Sequence, residues 1–208
     1  MPINCIACQS LDTILLDINY KHGVTSDCQP VDYSPRFLVC NECSLIQKEV
    51  TQEYRNLIND IYSNYDIYHN ANGEEQAVFS DIGVSTPRSH EVLNFLLNEG
   101  PDKKIGTLLE IGCGNGSNLK TFSELKPDWE LVWTEFDARH QVKIEKIKNT
   151  SFFLGNFIEI NKKFDLIVCY HVLEHIDDPQ EFLVNCASKL SIDGRMLIQV
   201  PDIEKNSF

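Results

Sequence analysis

The sequence predicts an α/β protein, a doubly wound and mostly parallel sheet preceded by a small four-cysteine ribbon. Three observations carry that expectation. Two C-x-x-C pairs, Cys5/Cys8 and Cys40/Cys43, bracket the N-terminal segment. From residue 107 onward, short apolar runs alternate with stretches of helical spacing. A glycine-rich turn follows the first of those runs. Such alternation reads as parallel strands joined by crossover helices that cover both faces.

Residues 1–50 read as the ribbon. Two residues between cysteines let both thiolates of a knuckle face one ion, and two knuckles complete a tetrahedron. Zn2+ suits four sulfurs at Cys5, Cys8, Cys40 and Cys43, since it needs no redox partner and has no strong geometric preference. Iron in a rubredoxin-like site and a thiol redox pair stay open on spacing alone. A four-thiolate site keeps no position open for water, so its expected role is in folding. Strand-like runs at Thr13 to Ile18 and Arg36 to Val39 flank turn residues such as Cys28-Gln29-Pro30. Cys113, Cys169 and Cys186 lie singly in apolar surroundings, and Cys28 sits alone in the intervening loop.

Residues 51–85 form a connector crowded with tyrosines: Tyr54, Tyr62, Tyr65 and Tyr68. Among them stand His69, Asn70, Asn72, Gly73, Glu74, Glu75 and Gln76. Tyrosine joins an apolar body to a polar tip, which suits either interdomain packing or the wall of a substrate site.

Residues 86–208 hold the sheet. Thr86 is placed to cap a helix whose first position is Pro87, where a missing N–H is harmless. Val92, Leu93, Leu96 and Leu97 give that helix its apolar stripe, and Gly100-Pro101 ends it. Thr107 to Ile111 is the first strand, and a helix around Ser117 to Leu125 follows the glycine turn. Leu131 to Phe136 is the second strand, Arg139 to Lys148 a helix, and Ser151 to Leu154 the third strand. Phe164 to Tyr170 is a fourth, with the near-continuous apolar run of a strand buried on both faces. Asp178-Pro179 starts a helix with Phe182, Leu183, Cys186, Ala187 and Leu190 on one side. Asp193-Gly194 then turns into the fifth strand, Arg195 to Val200.

The chemistry concentrates at Glu110-Ile111-Gly112-Cys113-Gly114-Asn115-Gly116. Glycines at alternate positions let the chain turn sharply and let a ligand approach bare backbone. The helix that follows directs free N–H groups toward that ligand. In open α/β sheets, ligands bind where the carboxyl ends of strands meet such turns. The Rossmann dinucleotide fingerprint needs a glycine at 117, where this sequence has serine. Glu110, two residues before the first glycine, is placed to face a cationic amino-acid moiety. Glu135 ends the second strand, where a carboxylate can accept from both ribose hydroxyls. Asn156-Phe157 sets an amide and an aromatic face beside an adenine-sized ring, and Tyr170 and His171 end the fourth strand at the same rim. A ligand with those three parts, S-adenosylmethionine, is the expected occupant, held against Gly112, Cys113, Gly114 and Gly116.

At these residues the sequence resembles the class I methyltransferases, a Rossmann-like family. Leu109 to Gly116 looks like their first motif, and Phe164 to Cys169 with Val172-Leu173-Glu174-His175-Ile176-Asp177-Asp178-Pro179 looks like their fourth-strand motif. The likeness covers residues 105 to 201. A looser one joins the cysteine spacing and the tyrosine-rich segment to sugar C-methyltransferases of deoxysugar and surface-glycan pathways, whose acceptor is typically a nucleotide-linked keto sugar. The resemblance implies in-line transfer of a methyl group from a sulfonium to a nucleophile. A carbon acceptor then needs a base, for which His175, His171 and Glu174 lie near the rim, with Tyr65, Tyr68 and His69 within reach from the connector. His175 serves equally well as a support for its loop. The family's sheet has seven strands, so a chain whose fifth strand is followed shortly by Phe208 reads as truncated, or as having that edge covered by another segment.

Composition narrows the partners. With 18 basic against 31 acidic residues the net charge is −13, a field that repels phosphate backbones and anionic membrane surfaces. Nucleic acid and membrane are therefore not expected partners, a small-molecule substrate is, and oligomeric state is not legible. The short apolar runs and the absence of a leader-like start at Met1-Pro2-Ile3-Asn4-Cys5 give a cytoplasmic expectation. Two rival readings stand beside the enzyme: a non-catalytic S-adenosylmethionine-binding module that acts through the ribbon, and an NAD-dependent oxidoreductase.

Overall fold

The computed structural model describes residues 3–16, 22–25, 29–64, 75, 77–79, 83–99, 103–135, 138 and 140–201. The chain divides into two compact units, residues 1–70 with 177–180, and residues 71–176 with 181–208.

In the first unit, β1 (Thr13–Leu15), β2 (Gly23–Val24), β3 (Pro30–Val31), β4 (Phe37–Cys40) and β5 (Ile46–Lys48) precede one helix, α1 (Gln52–Asn64). β1, β4 and β5 form an antiparallel sheet in that order, while β2 pairs with β3. Strands this short bury few side chains; Leu38 and Gln47 lie beneath the sheet, with Cys5 and Cys40. α1 occupies the start of the connector, where the sequence reading expects no helix. Its Tyr54 packs on Tyr33, with ring centroids 5.9 Å apart.

The second unit opens with a hairpin of β6 (Ala77–Phe79) and β7 (Ser85–Pro87), followed by α2 (Arg88–Glu99). Pro87 is therefore the last residue of a strand and not the first of a helix. A two-stranded ladder tolerates its missing N–H, and the start of α2 moves to Arg88. There follow β8 (Thr107–Ile111), α3 (Ser117–Leu125), β9 (Glu130–Glu135), α4 (Gln141–Ile144) and β10 (Thr150–Leu154). The chain continues through β11 (Phe164–Tyr170), α5 (Pro179–Lys189) and β12 (Leu190–Gln199). The five long strands pair in parallel, in the order β10-β9-β8-β11-β12. The crossover after β9 is shorter than the expected helix over 139–148. Thr150 Oγ1 donates to the Ile147 carbonyl at 2.8 Å, ending α4 early so that β10 can begin. β12 starts before the expected Arg195, because Leu190 already pairs with Phe164. The register then jumps to Leu166 opposite Arg195, past Asp193 at φ 62°.

Each face of the sheet has its own core. Leu108, Leu131, Trp133, Leu166 and Val168 meet Leu93, Leu96, Leu119, Phe122 and Ile144 on one side. Leu109, Val132, Phe164, Ile167 and Cys169 meet Phe157, Phe182 and Cys186 on the other. Central strands buried on both faces explain the near-continuous apolar runs. At the amino ends of the strands Asp165 accepts from Lys103 Nζ (2.5 Å), Ser191 Oγ (2.8 Å) and the Thr107 N–H (3.0 Å). Burial acts to raise the Asp165 carboxyl, but these donors hold it below the usual range. Among the described residues, no helix is long and apolar enough to cross a membrane.

Candidate functional site

The carboxyl end of β8 runs into the glycine bend. Gly112, Gly114 and Gly116 all have positive φ, 72°, 56° and 78°. At Gly112 a Cβ would lie 2.6 Å from Val172 Cγ2, and at Gly116 2.6 Å from Ile144 Cγ1, so both positions are restricted by backbone sign and by space. The bend is pinned on three sides: the Gly112 N–H donates to the Thr134 carbonyl (3.0 Å), the Gly116 N–H to the Cys113 carbonyl (3.0 Å), and the Gly114 N–H to Glu135 Oε1 (2.8 Å). Asn115 Oδ1 accepts from the Ser117 N–H and hydroxyl, closing the first turn of α3.

Glu110, Trp133, Glu135 and Tyr170 project from one face of the sheet, because Glu110 pairs in register with Trp133 and with Val168. Glu110 is 1% exposed. Burial pushes its carboxyl up to about 8; an Asn118 Nδ2 hydrogen bond at 3.4 Å opposes the shift, and the nearby Glu135 charge adds to it. A carboxyl in that state gains most from a cation beside it. Tyr170 is held as a neutral phenol, raised first by burial and then by the Glu110 charge. Its hydroxyl and the Trp133 indole N–H are buried with no hydrogen-bond partner among the described residues. A buried polar group without a protein partner is one that a ligand atom or a water can satisfy. Bare backbone, a buried acid and orphaned polar atoms on one face fit a ligand with a cationic end and hydroxyls.

At the rim, His171 lies at φ 55°. Its Nδ1 is 3.3 Å from Glu174 Oε1 and its Nε2 is 2.5 Å from Arg88 Nη2. His175 Nε2 is 4.0 Å from the same Glu174 oxygen. The three rim residues singled out by sequence are thus brought together around one carboxylate.

The Asn156-Phe157 pair is placed differently from the expectation. Asn156 Oδ1 caps a 3-10 turn by accepting from the Ile158 N–H at 3.1 Å. Phe157 is 7% exposed and meets Phe182 edge-on, with ring centroids 5.6 Å apart. Its ring belongs to the core on the α5 side and does not present a free aromatic face. Cys113 is buried beneath the bend. Cys169 and Cys186 are buried too, which raises both thiols to about 12 and leaves no thiolate there. Tyr65, Tyr68 and His69, with Cys28 and most of the connector's polar residues, lie outside the described residues. Arg88 carries no sequence signal, since its partner His171 is far along the chain; Asn118, in the first turn of α3, donates to Glu110 across the glycine bend. Asn115 could have been read from its place just before a helix.

In the first unit, Cys5, Cys8, Cys40 and Cys43 gather their sulfurs within 4.8 Å of one another. Two knuckles repeat the same geometry. The Gln9 N–H donates to the Cys5 carbonyl and the Cys5 N–H to the Ser10 carbonyl; Ser44 and Leu45 do the same for Cys40. Gln9 and Ser44 occupy matching positions at φ 62° and 61°. Gln47 braces the first knuckle, accepting from the Ile6 N–H (2.9 Å) and donating to the Asn4 carbonyl (3.0 Å). Cys5–Cys43 and Cys8–Cys40 are each 3.5 Å apart. A tetrahedral zinc with Zn–S near 2.3 Å has S···S edges of about 3.8 Å, so the four sulfurs fit that ion.

Comparison with known proteins bears on the second unit. Residues 86–207 match the family model described as "Methyltransferase domain". The chain is 27% identical over 136 residues to a ubiquinone biosynthesis O-methyltransferase of Glaesserella parasuis serovar 5 (strain SH0165), covering 60% of this chain and 56% of that protein. It is 30% identical over 118 residues to a malonyl-[acyl-carrier protein] O-methyltransferase of Haemophilus ducreyi (strain 35000HP / ATCC 700724), covering 52% and 45%. The chain thus spans about half the length of these curated relatives. Among solved structures, coclaurine N-methyltransferase bound to N-methylheliamine and SAH superposes with a TM-score of 0.54 at 16% identity, over 71% of this chain and 52% of that one. At that identity the likeness is one of fold.

Proposed function

The chain belongs to the methyltransferase-domain family, and from that premise we propose that it transfers a methyl group from S-adenosylmethionine to a small molecule. The observation that carries the reading is the bend itself. Three left-handed glycines are tied through the Gly114 amide to the carboxylate of Glu135, beside a buried Glu110. When bound, S-adenosylmethionine supplies an already activated methyl group. The chain's part is therefore alignment and exclusion of water more than bond activation. Gly112, Cys113, Gly114 and Gly116 bring backbone against the donor. Glu110 offers a negative charge to its cationic end, Glu135 takes its ribose hydroxyls, and Tyr170 donates from the end of β11. Asn156 stands at the end of β10 with its Oδ1 already engaged in the cap. Glu174, His171 and His175 form the polar edge toward the acceptor.

The finer reading, a sugar acceptor that is nucleotide-linked, rests on the four-cysteine module and the tyrosine-rich connector. For Cys5, Cys8, Cys40 and Cys43 we propose a structural zinc, which would hold the two knuckles together and take no part in transfer.

Transfer of radiolabelled methyl from S-adenosylmethionine, screened over nucleotide-linked keto sugars, phenols, amines and carboxylic acids, tests the function. Label in a sugar supports the finer reading, and label in another class keeps the enzyme but removes the sugar. Tight S-adenosylhomocysteine binding with no label in any class would favour the non-catalytic module, and NAD binding without response to the thioether would favour an oxidoreductase.

A further inference from the structure

His171 is held in a backbone conformation that a side-chain-bearing residue keeps only where its surroundings enforce it. Three contacts do so. Its N–H donates to the Gln199 carbonyl at 2.9 Å, its Nδ1 lies 3.3 Å from Glu174 Oε1, and its Nε2 lies 2.5 Å from Arg88 Nη2. A guanidinium has five N–H donors, no acceptor, and stays protonated in proteins. In the contact with Arg88, His171 Nε2 must therefore be the acceptor. An imidazole that accepts at Nε2 carries its proton on Nδ1, the nitrogen that faces Glu174.

We infer that Arg88 is a positioning residue, fixing His171 as a neutral Nδ1–H donor to Glu174. With its one lone pair occupied, His171 does not serve as the base in methyl transfer, and that role passes to Glu174 and His175. Arg88 is itself well anchored. It opens α2, and the next residue, Ser89, donates through both its N–H and its hydroxyl to the Glu75 carboxylate. The Ser89 hydroxyl also meets Thr121 Oγ1 at 2.8 Å in α3. Glu75 thus fixes the first turn of α2, from which the Arg88 side chain reaches His171. The tautomer stands on geometry alone; its meaning for catalysis rests on the methyl-transfer reading.

Diethyl pyrocarbonate, which attacks an unprotonated imidazole nitrogen, tests this when the modified peptides are mapped by mass spectrometry. The two side chains are similarly exposed, 35% for His171 and 47% for His175, so access alone gives them similar rates. The inference expects His171 to react about tenfold more slowly, the equivalent of one hydrogen bond to be broken first. Arg88→Met should raise the His171 rate by about the same factor and leave His175 unchanged. Imidazole 15N NMR of the wild-type protein should show the His171 proton on Nδ1, a readout that decides the matter even if the variant fails to fold. Equal wild-type rates, or a proton on Nε2, overturns the inference. S-adenosylhomocysteine titrated into the same sample reads the methyl-transfer assignment separately: failure to bind sinks that assignment and leaves the tautomer standing.

Discussion

Replacing Gly112 by alanine separates two physical demands that the bend makes on one residue. At φ 72°, an alanine costs about 1–2 kcal/mol in backbone conformation. Its Cβ would also sit 2.6 Å from Val172 Cγ2, and overpacking of this sort costs about 1–3 kcal/mol. The sum is about 2–5 kcal/mol. Gly83 supplies the control: φ is 77°, and no atom of the described residues lies within 4 Å of its would-be Cβ. Gly83→Ala should therefore show the backbone cost alone. Both tryptophans of the sequence, Trp129 and Trp133, are buried in the core of the sheet, so fluorescence-monitored denaturation reports on that unit specifically. Gly112→Ala should unfold at lower denaturant than Gly83→Ala, by an amount equivalent to the collision term. Gly112 is among the residues assigned to bring backbone against the donor, so the same variant should weaken S-adenosylhomocysteine at least about tenfold. Equal midpoints for the two variants, with unchanged affinity, would refute the claim that the bend needs glycine for space as well as for sign.

Other outcomes follow from the same structure. Burial raises Glu110 to about 8, so the folded chain holds a proton that the unfolded chain releases. Its contribution to stability is complete below the ordinary carboxylate range and is lost as pH rises toward 8; Glu110→Gln should flatten that slope in thermal melts across pH. At neutral pH a cationic ligand should expel the same proton, seen as a binding enthalpy that depends on the ionisation heat of the buffer. Asp165, held below its usual range, has the opposite sign. It stabilises above the ordinary carboxylate range and ceases to as pH falls through its lowered value, and Asp165→Asn should lose about 1–3 kcal/mol at neutral pH by leaving donors unmatched. Elemental analysis should find about one zinc per chain, falling to near zero in Cys5→Ser, while Cys186→Ser keeps its metal. Full metal content in the Cys5 variant would remove the cluster as the site.

Strands and glycine bend were legible because each depends on local residue types. The runs at Thr107–Ile111 and Phe164–Tyr170 match the observed strands, since a strand buried on both faces is mostly apolar, and its acids, Glu110 and Asp165, each have a specific place. The start of α2 differs from the expectation because Pro87 is acceptable both in a first helical turn and at the end of an edge strand. Only pairing with Ala77 decides between them, and that pairing is not written locally. Phe157 is ambiguous for a similar reason: an aromatic residue after a strand can face a ligand or the core, and Phe182 settles it from far along the chain. The C-x-x-C pairs are legible as a cluster, because two knuckle spacings point four thiols at one place. The Arg88–His171 contact has no local signature at all.

Calorimetric titration of S-adenosylhomocysteine into the wild-type protein and Glu135→Ala tests the central claim most directly. Glu135 both pins the Gly114 amide and is assigned the ribose, and a charged hydrogen bond is worth about 1.5–3 kcal/mol. The wild type should therefore bind, and the variant, whose unfolding midpoint should also fall with the lost Gly114 contact, should bind about ten- to a hundredfold more weakly at temperatures where it is folded. A wild-type protein that gives no binding signal, or a Glu135 variant that binds as tightly, contradicts the account.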